Sequence, residues 1–266
     1  MKLRHGDRGQ AVFALQRLLN QHGAGLFLDG DFGDATEQAV RRFQRGAGLV
    51  VDGIAGPKTL AAVAGRNSGR LLAQRDLDSA AERLGVPLAS VLAVNEVESV
   101  GEGFLPNGKP KILFERHIMF RRLPTERAAA LAERYPHLVN SRPGGYAGNE
   151  AEHQRLAQAR QLDETCALES ASWGLFQVMG YHWQLLGYTS AAEFAAHMAR
   201  SEADQLEAFV RFILADVGLH KALKGRRWAE FARRYNGPDY SRNLYDVKLA
   251  RAYEKHSVVI NEGQVA

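Results

Sequence analysis

Glu98 shares a helical face with apolar side chains, an arrangement that can turn a carboxylate into a proton donor. It lies in Val91-Leu92-Ala93-Val94-Asn95-Glu96-Val97-Glu98-Ser99. At about 100° per residue, Glu98 falls within about 60° of Val91, Val94 and Asn95, whereas Glu96 lies nearly opposite and is expected to be more exposed. Burial raises a carboxyl pKa because the ionised form loses water. A glutamic acid still protonated near neutral pH can give its proton to the leaving oxygen of a glycoside. Gly101 and Gly103 follow, so the helix is expected to end near Glu98, where a cleft can open. On this segment alone, a Glu98 ion-paired to an arginine of another helix fits the pattern as well.

An inverting glycoside cleavage pairs such an acid with a base whose carboxyl group is about 6.5–9.5 Å away. Glu115, in Phe114-Glu115-Arg116-His117, is the first candidate; its alternative use is an ion pair with Arg116 or another arginine. Glu102 and Glu169 rank behind it. Two further segments carry residue types that recognise sugars: Ser170-Ala171-Ser172-Trp173-Gly174-Leu175-Phe176-Gln177-Val178-Met179-Gly180 and Arg234-Tyr235-Asn236-Gly237-Pro238. Sugars are held by aromatic faces and by amide and hydroxyl hydrogen bonds, although the same types also serve as core and cap residues. Trp173 and Trp183 can stack on sugar rings or fill the core. His117, His137, His153, His182, His197 and His220 are scattered, without a His-Glu-x-x-His pair, so a zinc peptidase is poorly supported. Cys166 is the one cysteine. It excludes an internal disulfide, argues against a cysteine zinc site, and is expected to be a buried structural thiol.

The elements that must position these groups fall into two stretches of different pattern. In the first, Leu28-Asp29-Gly30-Asp31-Phe32-Gly33-Asp34-Ala35-Thr36, followed by Ala39-Val40, recurs as Val51-Asp52-Gly53-Ile54-Ala55-Gly56-Pro57-Lys58-Thr59, followed by Ala62-Val63, at an offset of 23 residues. Each copy predicts a tight Asp-Gly turn feeding a helix. Val12, Leu15, Leu18 and Leu19 add a third amphipathic helix, and Phe43-Gln44 continues the middle one. Residues 1–66 therefore predict a compact three-helix domain, 67–75 a linker, and 76–266 a second, mostly α domain with a small β-hairpin. In the second domain, Asp76-Leu77-Asp78 opens a helix that Gly85 ends, and Pro87 suits the first turn of the next. Residues 111–114 are strand-like, and residues 142–149 form a loop. Ser190 and Ser201 cap helices, the latter with a stripe of Leu206, Phe209, Val210, Ile213, Leu214 and Val217. Trp228, Phe231, Ala232 and Tyr235 form another stripe, and a last helix covers roughly 241–254.

A formal charge of +4 and 45% apolar residues in 266 suit a globular chain with an anionic partner, without choosing among wall, membrane surface and nucleic acid. The basic residues are not clustered as in a dedicated nucleic-acid binder. No run of about 18 apolar residues predicts a membrane span. No apolar region follows Met1-Lys2-Leu3-Arg4-His5-Gly6-Asp7, so no secretory signal is expected.

Residues 1–65 resemble the peptidoglycan-binding type 1 domain, through Gly9, Val12, Leu15-Gln16, Leu19, both Asp-Gly-x-x-Gly-x-x-Thr units and Phe43-Gln44. Glu98-Ser99, Gly174-Leu175-Phe176-Gln177 and Tyr235-Asn236-Gly237 resemble the three motifs of the goose-type lysozyme and lytic transglycosylase superfamily. Over about residues 75–255 the chain resembles, more specifically, the N-acetylmuramidase family of modular phage endolysins. Ile112-Leu113-Phe114-Glu115-Arg116-His117 and Tyr245-Asp246-x-Lys248-Leu249-Ala250 add to that match. The resemblance implies cleavage of the β-1,4 bond from N-acetylmuramic acid to N-acetylglucosamine in bacterial peptidoglycan. Glu98 would be the acid and Glu115 the second carboxylate, with substrate contacts from Ser99, Gln177, Tyr235, Asn236 and Trp173. It implies no cofactor or metal, a monomer, synthesis in the host cytoplasm and release through a holin-type pore to the wall. A lytic transglycosylase leaving 1,6-anhydro ends shares the three motifs, and a zinc amidase on the same wall-binding module is the more distant alternative.

Overall fold

The computed structural model describes residues 2–65, 69–99, 101–237, 241 and 243–263. Pro238, Arg66 and residues 67–68 of the expected linker lie outside them. The described chain is mostly helical, with one small sheet.

The N-terminal unit contains α1 (Gln10–Gln21), α2 (Asp34–Gly46) and α3 (Pro57–Val63). Val12, Leu15, Leu19, Phe32, Ala39, Val40 and Val63 form its core. The internal repeat folds into the same polar knot twice. Gln16 Nε2 donates to Asp29 Oδ1 (2.7 Å), Asp31 O (3.0 Å) and Thr36 Oγ1 (3.1 Å), while Gly30 N donates to Gln16 Oε1 (2.9 Å). Gln44 Nε2 repeats this with Asp52 Oδ1 (2.8 Å), Ile54 O (3.0 Å) and Thr59 Oγ1 (3.1 Å), and Gly53 N donates to Gln44 Oε1 (3.0 Å). A buried glutamine thereby uses its amide as the hub of each turn, which satisfies backbone groups the turn leaves free.

The two copies face different surroundings. Val50, before the second turn, packs on the core of the larger unit, and Val51 N donates to Gln74 Oε1 at 3.0 Å. Burial pushes the Asp52 carboxyl up. The first copy is open: Phe27 and Leu28, which correspond to Val50 and Val51, are 91% and 40% exposed. The Asp31 amide and then the Gln16 side chain hold Asp29 below the usual carboxylate range.

The larger unit runs through α4 (Gln74–Leu84), α5 (Leu88–Glu98), β1 (Ile112–Phe114), α6 (Arg116–Arg122), α7 (Thr125–Arg134), α8 (Asn149–Leu162) and α9 (Glu164–Glu169). Then come β2 (Ala171–Trp173), β3 (Val178–Met179), α10 (Ala191–Arg200), α11 (Glu202–Ala215), α12 (Val217–Lys224), α13 (Trp228–Asn236) and α14 (Tyr245–Gly263). Helix α4 starts two residues before Asp76 because the Asp76 carboxylate accepts the Ala73 amide at 2.8 Å, so residues 74 and 75, expected in the linker, are helical. Ser190 and Ser201 cap α10 and α11 as expected, accepting from Glu193 N (3.0 Å) and Asp204 N (3.1 Å).

Strands β2 and β3 form a small hairpin, whose place in the chain the sequence left open, and β1 lies in the strand-like run at 111–114. Strand β1 completes a three-stranded antiparallel sheet in the order β1-β2-β3, with Leu113 opposite Ser172 and Ser172 opposite Met179. The α11 stripe stops at Ile213. Asp216 caps a new helix, α12, through Gly218 N and Leu219 N, and leaves Leu214 and Val217 exposed. The last helix begins later than expected and runs well past Glu254. His256, 2% exposed, is held by Glu96 Oε2 at 2.8 Å, so the extra turns are fixed against α5.

Candidate active site

Glu98 is the last residue of α5, and Ser99 is its C-cap. Val91 and Val94, on the same face, are buried, so the helix carries the carboxyl group to the edge of the core. Asn236, the last residue of α13, reaches it across 138 residues of sequence. Its Nδ2 donates to Glu98 Oε1 at 3.0 Å and lies 3.2 Å from Oε2. Among the described residues, no guanidinium or ammonium forms an ion pair with Glu98. Burial pushes its carboxyl up to about 7, against the opposing pull of the Asn236 amide and the Lys248 charge.

Glu96 has the opposite fate two residues earlier. His256, then Lys255 at 3.2 Å, hold it at about 2. Neighbouring glutamates on one helix are thus set up for different protonation states by the faces they occupy.

Tyr235 ties α13, which carries Asn236, to the β2–β3 turn, and Gln177 braces that turn from within. Tyr235 Oη donates to Phe176 O at 2.6 Å, and its ring packs edge-on against Phe209. Burial, then the nearby Glu98 charge, pushes the Tyr235 hydroxyl well above its usual range, which keeps it a neutral donor. Gln177 lies in the β2–β3 turn with φ +51°; its Nε2 donates to Gly174 O (2.8 Å) and its Oε1 accepts from Ser172 Oγ (2.7 Å). The expected sugar-binding amide is therefore also the internal brace of the turn.

Trp173 takes the core alternative and not the substrate contact that the resemblance implies. It is buried, donates its indole N–H to Leu168 O at 3.2 Å and packs edge-on against Phe194. A ring enclosed on the inner face of β2 cannot stack on a sugar. Trp183 is also committed: its Nε1 donates to Glu169 Oε1 at 2.8 Å, and Glu169 pairs with Arg122 Nε at 2.6 Å. That pairing makes Glu169 structural.

Glu115 immediately follows β1, where its amide extends the strand pairing by donating to Ser170 O at 2.8 Å. It is not paired with Arg116, whose guanidinium donates to the carbonyls of Arg142, Pro136 and Pro143. Instead Tyr146 Oη lies 3.0 and 3.1 Å from the two Glu115 oxygens, and His117 Nδ1 lies 3.1 Å from Oε2. Tyr146 comes from the glycine-rich loop and was not singled out in the sequence; an aromatic residue among Gly144, Gly145 and Gly148 was the available signal. Glu115 and the Gly174–Gln177 turn lie at opposite ends of the sheet.

Cys166 is half-buried rather than buried. Its Sγ donates to Arg122 O at 3.4 Å, and burial, then Asp163, pushes the thiol up to about 12. It is not a nucleophile at neutral pH. Among the described residues, no three His, Cys, Asp or Glu side chains converge on a metal-sized site, and no helix is long and apolar enough to cross a membrane.

Residues 87–257 match the family model for N-acetylmuramidase. The chain belongs to the N-acetylmuramidase family. Residues 8–63 match the model of a putative peptidoglycan-binding domain, so this muramidase carries a wall-binding module ahead of its glycoside hydrolase domain. The muramidase is similar to the crystal structure of Burkholderia AP3 phage endolysin, at 56% identity and a TM-score of 0.92, over 97% of this chain and 99% of that one. No curated protein matches it.

Proposed function

We propose that this muramidase is an endolysin that cleaves the β-1,4 bond from N-acetylmuramic acid to N-acetylglucosamine, with Glu98 as the general acid. The observation that carries this reading is a carboxyl group lifted to about 7 by burial, bridged by the Asn236 amide and in no ion pair among the described residues. Glu98 delivers its proton to the bridging oxygen as the bond to the muramic acid breaks. Asn236 holds the carboxyl aimed and steadies the carboxylate that remains. Ser99, Gln177, Tyr235 and Asn236 contact the sugar through their hydroxyl and amide groups. Glu115 acts on the water that completes hydrolysis.

The N-terminal module, residues 1–66, anchors the enzyme to peptidoglycan, and the catalytic domain follows the short connection after it. The protein acts as a monomer, is made in the host cytoplasm and reaches the wall through a holin-type pore. Product analysis on purified sacculi tests the reaction. Hydrolysis gives reducing muramic acid ends with wild type and essentially none with Glu98→Gln. Exclusive 1,6-anhydro ends would overturn hydrolysis in favour of a transglycosylase.

A further inference from the structure

Helix α11 presents two buried polar side chains, one turn apart, to the loops around Glu98. Glu202 is fully buried: its Oε2 accepts from Lys58 Nζ (2.6 Å) and Leu72 N (2.8 Å), and its Oε1 accepts from Gly103 N (2.8 Å). Gln205 is 1% exposed: its Oε1 accepts from Leu175 N (2.7 Å), and its Nε2 donates to Met198 O (2.8 Å) and Gly103 O (3.4 Å).

The Gln205 carboxamide fills a slot between two glycines. A Cβ at Gly103 would lie 2.0 Å from Gln205 Oε1, and one at Gly174 would lie 2.4 Å from Gln205 Cδ. Gly174 also has φ +71°. Gly103 follows Glu98 by five residues and Gly174 opens the turn that holds Gln177, so one side chain ties together both loops that flank the acid. The tie continues to the acid itself. Phe176, next to Leu175, stacks on Phe209 of α11 with ring centroids 4.4 Å apart, and Phe176 O receives Tyr235 Oη. Asn236, the next residue, holds Glu98.

A buried carboxylate and a buried carboxamide are costly without partners. Here the partners are these two loops, the Leu72 amide, the Met198 carbonyl and a lysine from the other domain. Lys58, in α3, is the one ion-pair partner of Glu202 among the described residues.

We infer that Glu202 and Gln205 are positioning residues for the acid, and that Lys58 makes the seating of the wall-binding domain part of the same device. This rests on the proposal that Glu98 is the acid. Without Lys58, the Glu202 carboxylate is a buried charge with no counter-ion, and its hold on Gly103 weakens. Water then reaches Glu98, and the burial that lifts its carboxyl is reduced.

The test uses the full chain and soluble, uncross-linked glycan fragments, so that affinity for insoluble wall does not enter. kcat and KM are measured against pH for wild type, Lys58→Met, Lys58→Arg, Gln205→Met and Glu98→Gln, with native melting confirmed for each. Lys58→Met and Gln205→Met are expected to lower kcat about tenfold, since small misplacements of reacting groups are costly, with KM within about twofold of wild type. The alkaline limb of the kcat profile moves to lower pH by about one unit, and Lys58→Arg restores both. If Gln205→Met or Lys58→Met does not fold, the double variant Lys58→Met with Glu202→Gln, which removes the buried charge along with its partner, decides. Folded variants with wild-type kcat and an unmoved limb overturn the inference, as does a loss seen only in binding to sacculi. Equal hydrolysis by wild type and Glu98→Gln overturns the acid assignment itself; an inactive Glu98→Gln beside an unaltered Lys58→Met overturns only the positioning role.

Discussion

Asn236 Nδ2 lies 3.0 Å from one oxygen of Glu98 and 3.2 Å from the other. A neutral amide in that position can orient a carboxyl group in either protonation state without supplying a charge that would strip its proton. An arginine there would hold Glu98 ionised and end its use as an acid.

Replacing the acid abolishes the chemistry and leaves the fold. Glu98→Gln keeps the shape of the side chain and the contact with Asn236. Turnover of sacculi is expected to fall by about 10²–10⁴-fold or more, while the circular dichroism spectrum and melting transition remain native.

The pH dependence has a definite sign. The folded carboxyl of Glu98 titrates near 7, above its ordinary value of 4.5. Between those values the folded protein binds more protons than the unfolded chain, so this group lowers stability as pH rises through that window. The melting temperature of Glu98→Gln is therefore expected to gain on wild type as pH rises from 4.5 to about 7. Activity falls over the upper end of the same range as the donor loses its proton. Asn236→Ala removes a bond that favours the ionised form, so it should lower kcat and carry the alkaline limb to higher pH.

Glu96 behaves in the opposite sense. His256 and then Lys255 hold it at about 2, so its stabilising contribution is complete above its ordinary value of 4.5 and is lost as pH falls through about 2. Glu96→Gln is expected to melt below wild type at neutral pH. Thermal melts in acid should show that difference closing, and a constant gap would count against the pairing.

Glu115→Gln separates the second carboxylate from a structural role. As the group acting on water, it loses hydrolysis by about 10²-fold or more with unchanged binding of glycan fragments. Tyr146→Phe removes a donor to both its oxygens and is expected to cost a smaller factor, measured on the same soluble substrate.

Phe27 tests the open copy of the repeat. Val50, its counterpart, is covered by the catalytic domain, while Phe27 is 91% exposed. Phe27→Ala is expected to weaken sedimentation with insoluble sacculi by about tenfold, the equivalent of roughly 1.4 kcal/mol, and to leave turnover of soluble fragments unchanged.

What the sequence determined by itself was local. The duplicated Asp-Gly turns, the serine caps at 190 and 201, the stripe from Leu206 to Ile213 and the place of Glu98 at a helix end all follow from spacing along the chain, because turns, caps and helical faces are set by neighbours within a few residues. The pairing of Asn236 with Glu98 and of His256 with Glu96, the commitment of Trp173 to the core and the grip of Glu202 and Gln205 on two distant loops were decided only by the tertiary structure. Those contacts join residues far apart in the chain. No spacing rule says which polar group a fold will bring to a buried atom, or which side of a strand will be covered, until the helices have packed.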